Sequence, residues 1–311
     1  MTLPDNVDIA VLIPCYNEEA AIASVINDFR NALPAASIYV YDNNSSDRTI
    51  EVAREAGAIV RTEPLQGKGN VVRRMFADIE ADVFVMVDGD NTYDASAAPM
   101  LVQKLLDENL DLVNARRVHE ETEAYRPGHQ FGNVILTSLV AAIFGRRFVD
   151  MLSGYKVFSR RFTKSFPSLS SGFEIESELT VHALELRMPV AEVATNYGAR
   201  PAGSESKLST FADGYKILKM IATMIKEERP LQFFSSLFFI FVVSSIVLGI
   251  PLIRTFLETG LVPRYPTAIL VTGMMLLGFL FLACGLILDT VTRGRQELKR
   301  LQYLNVSRPR S

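Results

Sequence analysis

Hydrophobic residues in the first part of the chain form short runs of strand length, separated by stretches with helical spacing. The runs occupy residues 9–13, 38–41 and 83–87, and between the first two, Val25 and Phe29 recur at the spacing of one helix face. Strands that alternate with helices predict an α/β fold, with a mostly parallel sheet and helices on both of its faces. We place this domain at residues 1–208.

Polar clusters follow three of these predicted strands. They begin at Tyr16, Asp42 and Asp88. Because ligands in such sheets bind beyond the carboxyl ends of the strands, we expect the three clusters to share one crevice.

Two much longer apolar runs lie near the end of the chain. Residues 231–253 and 266–288 each comprise 23 positions without a charged residue. As helices they would each reach about 34 Å, enough to cross a hydrocarbon core of about 30 Å. We therefore predict a transmembrane hairpin within residues 230–290, which also explains a mean hydropathy of +0.18.

Charge divides the chain at the same place. Residues 1–229 hold 24 basic and 32 acidic residues, whereas residues 230–311 hold eight basic and three acidic ones. An acidic first domain argues against a general nucleic-acid binder. Lysine and arginine are concentrated outside the hairpin, before it and in the tail 291–311, so the positive-inside rule predicts that both flanks are cytoplasmic.

The segment 209–229 is predicted to be an amphipathic helix in the membrane surface. Phe211, Leu218 and Ile225 recur at helical spacing, with Lys216 and Lys219 between them. An ordinary core-packing helix is the alternative. The chain start lacks the basic and apolar regions of a signal peptide, and the two distant cysteines indicate no disulfide framework, so a cytosolic catalytic face is expected.

The acidic pair Asp88 and Asp90 carries the clearest chemistry. Two carboxylates on a turn after a strand can converge on a hard cation, which prefers oxygen ligands and retains phosphates or waters. Asp42 and Asn44 could contact a nucleobase, and Lys68 between two glycines places a cation near a polyphosphate. Further cations suited to phosphate are Arg116, Arg117, Arg126, Arg200 and Lys207. Taken alone, each of these residues is more often a solvated surface charge; together they indicate a nucleotide-diphosphate site with a divalent ion.

These motifs resemble, in order, the family 2 glycosyltransferases with the GT-A fold. The matching stretches are VLIPCYNEE from Val11, DNNSSDRT from Asp42, GKG from Gly67 and DGD from Asp88. Two later stretches, SGYK from Ser153 and RPAGSESKL from Arg200, are similar to the branch that glycosylates polyprenyl phosphates. Dolichyl-phosphate mannose synthases and bactoprenyl-phosphate glucosyltransferases belong to that branch.

The resemblance implies roles for individual residues. Asp88 and Asp90 would hold Mg²⁺ or Mn²⁺, with Asp90 also counted as catalytic together with Arg126. The nucleotide sugar would contact Pro14, Tyr16, Glu18, Asp42, Asn44, Lys68, Asp88, Gly89 and Arg116. Phosphates of donor or acceptor would contact Arg126, Arg200, Ser206 and Lys207. Two positions depart from the family pattern, Asn44 in place of a glycine and Thr92 in place of a glutamine.

The implied reaction moves a hexose-type sugar from a nucleotide diphosphate, with UDP favoured and GDP open, to a polyprenyl phosphate. A lipid phosphate is largely dianionic near neutral pH because its second pKa is about 6. We therefore expect direct attack on the anomeric carbon, with inversion and without an obligatory protein base. Glu178 is the reserve candidate for a base, and a helix-start acid is its other interpretation.

Three other functions stay open. A processive polysaccharide synthase resembles proteins with a tryptophan-containing acceptor motif, and this chain has no tryptophan. A transferase could act on a glycan or protein, with the hairpin as an anchor only. A non-enzymatic membrane scaffold would have no use for the acidic pair. We expect an integral protein of the bacterial inner membrane with a cytoplasmic catalytic domain; the oligomeric state, homo-oligomers included, is not predicted.

Overall fold

The computed structural model describes residues 7–119, 148–168, 170, 172, 174–198, 223 and 226–307. Packing divides the chain into two units, one comprising residues 1–217 and 299–311 and the other residues 218–298. The expected domain boundary at residue 208, and most of the amphipathic segment 209–229, lie outside the described residues.

A seven-stranded sheet forms the centre of the first unit. Its order is β3-β2-β1-β4-β6-β5-β7. The strands are β1 Ile9–Cys15, β2 Ser37–Asp42, β3 Ile59–Thr62, β4 Val83–Met86, β5 Leu112–His119, β6 Lys156–Ser159 and β7 Val190–Tyr197. Strand β6 runs antiparallel to both of its neighbours, and the other pairings are parallel. The predicted α/β fold with a mostly parallel sheet is confirmed.

Helices connect the strands of this unit. They are α1 Ile22–Ala32, α2 Thr49–Glu55, α3 Lys68–Asp78, α4 Ala98–Asp107, α5 Arg160–Ser165 and α6 Ile175–Glu185. In α1 the apolar face predicted from sequence is buried, with Val25 and Phe29 among the core residues. Strand β1 is almost entirely buried, which explains its continuous apolar run, since a parallel strand is covered on both faces.

The register of the central strands brings the predicted clusters to one edge. Cys15 lies opposite Asp42 on the neighbouring strand, and Leu12 lies opposite Met86. Asp88 follows Met86 by two residues, so it lies near the level at which β1 and β2 end. The carboxyl ends of β1, β2 and β4 therefore meet at one edge, as the sequence predicted.

The second unit contains two long apolar helices, α7 Pro230–Thr259 and α8 Tyr265–Asn305. The last turns of α8, from residue 299, belong to the first unit. In the described part of the chain, these two are long and apolar enough to cross a membrane, and 11% of the most apolar window of each is buried. A core helix of a soluble protein would instead be mostly buried. The prediction of two successive apolar helices is confirmed.

The connection between these helices is shorter than the sequence indicated. The two predicted runs, 231–253 and 266–288, leave residues 254–265 between them as the connection, but α7 continues to Thr259. Arg254 and Glu258 form an i,i+4 ion pair at 3.4 Å on its last turns. Gly260 then ends the helix with a φ of 70°, and its N–H donates to the Phe256 carbonyl at 2.8 Å.

Small residues lie where α7 and α8 pack against each other. A Cβ at Gly285 would come 2.9 Å from the Cβ of Phe234, and one at Gly278 would come 3.1 Å from Val242. The hydroxyl of Ser245 donates across the pair to the carbonyl of Val271 at 2.9 Å. Close approach at glycine and a hydroxyl bond between helices are typical of helix pairs in membranes.

The segment predicted as a basic tail, residues 291–311, is helical as far as Asn305. Its last turns, from Lys299 onward, belong to the first unit, in which Lys299 pairs with Glu185 at 2.7 Å and the Tyr303 hydroxyl donates to Asp111 at 2.7 Å. Arg161 lies over the Tyr303 ring, 4.8 Å from its centroid. This end of α8 is therefore part of the folded catalytic unit.

Candidate active site

The loop after β2 holds a buried carboxylate with one unused oxygen. Asp42 is 1% exposed, and its Oδ2 accepts a hydrogen bond from the Ser45 N–H at 3.0 Å. No described residue donates to its Oδ1. Because a buried acceptor without a partner carries a desolvation cost, Oδ1 is suited to receive a donor group from a ligand.

Asn43 shapes the neighbouring loop that precedes Lys68. Its side-chain NH₂ donates to the carbonyls of Glu63 and Leu65, at 2.9 and 2.8 Å, and its oxygen accepts from the Gly67 N–H at 2.6 Å. Asn43 had no predicted role. Its burial, at 4% exposed, could not be read from a polar run that resembles a surface loop.

Asn44 takes over the conformational role of the expected glycine. Its φ is 65°, in the left-handed region that asparagine tolerates better than most residues. Its side-chain NH₂ donates to the Pro64 carbonyl at 2.9 Å and to Gln66 at 3.2 Å. In this structure Asn44 therefore holds a loop.

The loop after β1 is tied to the loop after β2. The Asn17 N–H donates to the Ser45 hydroxyl, and the Glu18 N–H donates to the Thr49 hydroxyl, both at 2.8 Å. Pro14 is half-buried at the end of β1, and Tyr16 is 37% exposed. The predicted nucleotide-contacting residues of these two strands are thus brought together at one edge.

An ion-pair cluster joins three elements at Asp88. The ammonium of Lys68, at the start of α3, lies 2.5 Å from Asp88 Oδ1 and 2.5 Å from Glu176 Oε1 on α6. The Lys68 and Glu176 side chains are 9% and 8% exposed, and that of Asp88 is 30% exposed. Burial opposes the charged form of Lys68, but the two carboxylates outweigh it and raise its pKa, so it stays protonated.

Two glycines make room for the acidic turn. A Cβ at Gly154 would overlap the Asp88 carboxylate, and one at Gly89 would come 2.7 Å from the Cys15 sulfur. The Gly154 N–H donates to the Tyr93 hydroxyl at 2.7 Å, which fixes its backbone there. The aspartates are therefore positioned by backbone that has no space for a side chain.

Asp90 is buried, at 4% exposed, and is held by Thr92. Its Oδ1 accepts from the Thr92 hydroxyl at 2.6 Å and from the Thr92 N–H at 3.3 Å. The threonine that departs from the family pattern thus orients the second aspartate of the pair.

The donor set fits a hard divalent cation bound together with a diphosphate. Asp88 and Asp90 supply two carboxylates, and the described residues contain no group of three or more histidine, cysteine or acidic side chains that could hold a metal. Mg²⁺ is usually bound by one or two carboxylates plus substrate phosphates and water, so two protein carboxylates suffice.

Glu178 and Glu176 lie two residues apart but have different contacts. Glu178 accepts a hydrogen bond from the Ser170 N–H at 2.8 Å, whereas Glu176 contacts Lys68. Glu178 was a predicted site residue, whereas Glu176 was not. Helical spacing would have shown that they face different directions, but not which one reaches the acidic turn.

A second polar network lies at β5 and β6. Arg117 binds both oxygens of Asp150, at 2.7 and 2.8 Å, and lies over the Tyr197 ring. Although burial alone would raise it, this guanidinium holds the pKa of Asp150 below its ordinary value. Burial lowers the pKa of Lys156 to about 8, and its ammonium donates to Asn114 at 2.7 Å.

Other predicted site residues are described partly or not at all. Arg116 is half-buried on β5, beside Arg117. Arg126, Arg200, Ser206 and Lys207 lie outside the described residues. Their predicted phosphate contacts stay predictions.

Comparison with known proteins identifies this site's family. The family model described as glycosyl transferase family 2 matches residues 10–166, which include β1, β2, β4 and the acidic turn. The chain belongs to glycosyl transferase family 2. The resemblance stated from the sequence motifs is confirmed.

Similar proteins include two from Haloferax volcanii. Glycosyltransferase AglJ is 31% identical over 306 residues, which cover 98% of this chain and 100% of AglJ. A dolichyl-phosphate hexose transferase is 29% identical over 222 residues, which cover 71% of this chain and 96% of that protein.

Among solved structures, glucosyl-3-phosphoglycerate synthase from Mycobacterium tuberculosis is similar to this glycosyltransferase. A crystal structure with Mn²⁺, UDP-glucose and phosphoglyceric acid aligns with a TM-score of 0.58 and 26% identity, covering 71% of this chain and 79% of that one.

Proposed function

We propose that this glycosyltransferase moves a hexose from a nucleoside diphosphate, most readily UDP, to the phosphate of a polyprenyl lipid. The observation that carries the proposal is the union in one chain of a family 2 site with a pair of long, exposed apolar helices. A lipid acceptor explains both parts, because it requires the catalytic unit to work at a bilayer. Similarity to a dolichyl-phosphate hexose transferase supports the same acceptor class.

The donor would bind at the carboxyl ends of β1, β2 and β4. The unused Oδ1 of Asp42 is an acceptor suited to a ring N–H of the base, and uracil offers one. The similar synthase crystallised with UDP-glucose supports a uridine nucleotide. Pro14, Tyr16, Glu18, Asn44, Gly89 and Arg116 complete the proposed donor contacts.

Asp88 and Asp90 would hold Mg²⁺ or Mn²⁺ against the diphosphate. When bound, such an ion supplies positive charge that offsets the negative charge of the departing nucleotide. The protein adds Lys68 beside Asp88, and from the proposed assignments Arg126, Arg200, Ser206 and Lys207, which would bind donor or acceptor phosphates. These cations suit two anionic substrates that would otherwise repel each other.

The acceptor phosphate would attack the anomeric carbon directly, and the sugar would be inverted. A phosphate oxygen forms the new bond as the bond to the nucleotide diphosphate breaks, and no hydroxyl proton has to be removed. A protein base is therefore not required by the chemistry, and Glu178, bonded to the Ser170 N–H, is the reserve candidate. The two apolar helices would cross the bacterial inner membrane, with the catalytic unit and the chain end in the cytoplasm.

An acceptor comparison in detergent micelles tests this proposal. Purified full-length protein is given a panel of UDP- and GDP-sugars with Mn²⁺. The acceptor is polyprenyl phosphate, polyprenol or phosphoglyceric acid, and release of the nucleoside diphosphate is measured. We expect release that depends on polyprenyl phosphate and is lost in Asp88→Asn. Release driven by phosphoglyceric acid or by polyprenol instead would contradict the proposed acceptor.

A further inference from the structure

We propose that Glu176 is a positioning residue that acts through Lys68 to keep the Asp88 carboxylate open to a divalent cation. The inference rests on the proposed metal-binding role of Asp88 and assigns to that site a residue that is not itself a ligand.

Contacts between distant parts of the chain define the cluster. Lys68 and Asp88 are 20 residues apart in sequence, and Lys68 and Glu176 are 108 apart, yet the ammonium lies 2.5 Å from an oxygen of each. Asp88 has the most exposed of the three side chains, and Glu176 and Lys68 lie deeper. Of the two carboxylates, Asp88 is therefore the one that a solvent-borne cation can reach.

Charge explains why the second carboxylate matters. Lys68 with Asp88 alone is a neutral pair, and an approaching cation would meet an ammonium bonded to the oxygen it needs. With Glu176 included, the cluster carries one net negative charge, and the ammonium has a partner when Asp88 turns to the metal. Buried charges need such compensation because their solvation by water is lost.

A purely structural role for Glu176 accounts less well for its position. Acidic residues in the first turn of a helix interact favourably with the helix dipole, and α6 has both Glu176 and Glu178 there. Glu178 is partly exposed and accepts a hydrogen bond from the Ser170 N–H, in the segment before the helix. Glu176 is 6% exposed and directs its carboxylate to Lys68, which the dipole alone does not require.

Mn²⁺ binding tests the inference without a catalytic readout. Full-length protein in detergent is titrated with Mn²⁺ in the presence of saturating UDP, and free Mn²⁺ is followed by electron paramagnetic resonance. We expect Glu176→Gln to raise the Mn²⁺ Kd by about tenfold, the scale of one unit of charge-dependent pKa shift. Adding Lys68→Gln to Glu176→Gln removes the ammonium, and at a UDP concentration raised until it saturates this doubly substituted protein, the Mn²⁺ Kd should return to within about threefold of the parent.

Glu185→Gln is the matched control. Glu185 also pairs with a lysine at low exposure, and it lies at the far end of the same helix, about 14 Å along the axis from Glu176. We expect its Mn²⁺ Kd to equal that of the parent. Melting temperatures of all variants are recorded beside the titrations.

The outcomes test the positioning role of Glu176 separately from the proposed function. A parental Kd in Glu176→Gln, or a doubly substituted protein as weak as Glu176→Gln, would overturn the inference, and the melting temperatures separate weakened Mn²⁺ binding from loss of folding. If Glu176→Gln does not fold, Glu176→Asp, which shortens the reach to Lys68, should weaken binding by about threefold, and a parental Kd there overturns it. A parent that binds no Mn²⁺ with UDP would instead contradict the proposed function.

Discussion

Gly154 lies directly against the carboxylate of Asp88. It precedes β6 by two residues, and β6 runs antiparallel to β4, the strand that Asp88 follows. A Cβ at this position would overlap both carboxylate oxygens. The Gly154 N–H is fixed by the Tyr93 hydroxyl at 2.7 Å, so the backbone does not yield easily. The carboxylate is the part that would move, which links a backbone feature of the fold to the acidic pair.

Gly154→Ala is therefore expected to impair turnover far more than folding. A methyl group would displace a short side chain at its flexible end, and a displacement of about 1 Å at a catalytic group costs roughly a hundredfold in rate. Sugar transfer is measured beside the melting temperature. Gly294→Ala is the control, since no described atom lies within 4 Å of a Cβ there; equal turnover in both variants would argue against this placement of Asp88.

Asp42→Asn should weaken UDP binding and leave Mn²⁺ binding intact. The substitution removes the negative charge from the acceptor whose Oδ1 receives no donor from the described residues. A hydrogen bond to a charged group contributes about 1.5–3 kcal/mol, so a loss of about tenfold to a hundredfold in UDP affinity is expected. Calorimetric titration measures the UDP affinity. The control is Asp94→Asn, because Asp94 only caps the short 3₁₀ helix Ala95–Ala97, by accepting a hydrogen bond from the Ser96 N–H. Unchanged UDP affinity in Asp42→Asn would exclude the base contact.

Gly285→Ala should loosen the helix pair, whereas Gly273→Ala should not. A Cβ at Gly285 would come 2.9 Å from the Phe234 Cβ, which is anchored to its backbone, while one at Gly273 would have no described atom within 4 Å. Overpacking costs about 1–3 kcal/mol. The midpoint of helix loss on titration with dodecyl sulfate, followed by circular dichroism, should fall for Gly285→Ala alone. The same midpoint in both variants would disagree with the packing of α7 on α8.

His182 should make the catalytic unit sensitive to mild acid. Burial, with Lys299 adding to it, lowers the pKa of this histidine from 6.5 to about 3, so the folded state favours the neutral ring. The contribution of this histidine to the free energy of unfolding is therefore fully present above pH 6.5. It is lost as the pH drops from 6.5 toward 3, by up to about 1.4 kcal/mol per pH unit. The ring packs edge-on against Phe162 and Phe166.

His182→Leu should remove this dependence, since leucine has no proton to bind. The melting temperature of the parent is expected to fall by a few degrees between pH 7 and pH 5, and that of His182→Leu by less. Parallel curves for the two proteins would place the titrating group elsewhere.

Local patterns predicted the elements of this fold well. The runs at 9–13, 38–41 and 83–87 became β1, β2 and β4, because each is long enough for a strand and too short for a helix. The hairpin helices followed from charge-free length alone. The turn between them was predicted too long, because an i,i+4 pair extends α7 past two charged residues that a hydropathy pattern assigns to a loop.

The candidate site was predicted as a set of strand ends, and its internal contacts were not. The sequence showed that Asp42 and Asp88 each follow a predicted strand, and in the sheet those strands, β2 and β4, lie on either side of β1. The partner of Lys68 on α6 lies 108 residues away, and no periodicity connects the two. Asn44 and Thr92, which depart from the family pattern, have local roles that only their backbone angles and hydrogen bonds reveal.

The most direct test of the lipid acceptor is recovery of the sugar on the lipid. Membranes containing the protein are given a radiolabelled UDP-sugar, polyprenyl phosphate and Mn²⁺, and the organic phase is then treated with mild acid. The account predicts label in that phase that mild acid releases as free sugar and that is absent in Asp88→Ala. Label that stays with glycan or protein in the aqueous phase, or lipid label stable to mild acid, would contradict it.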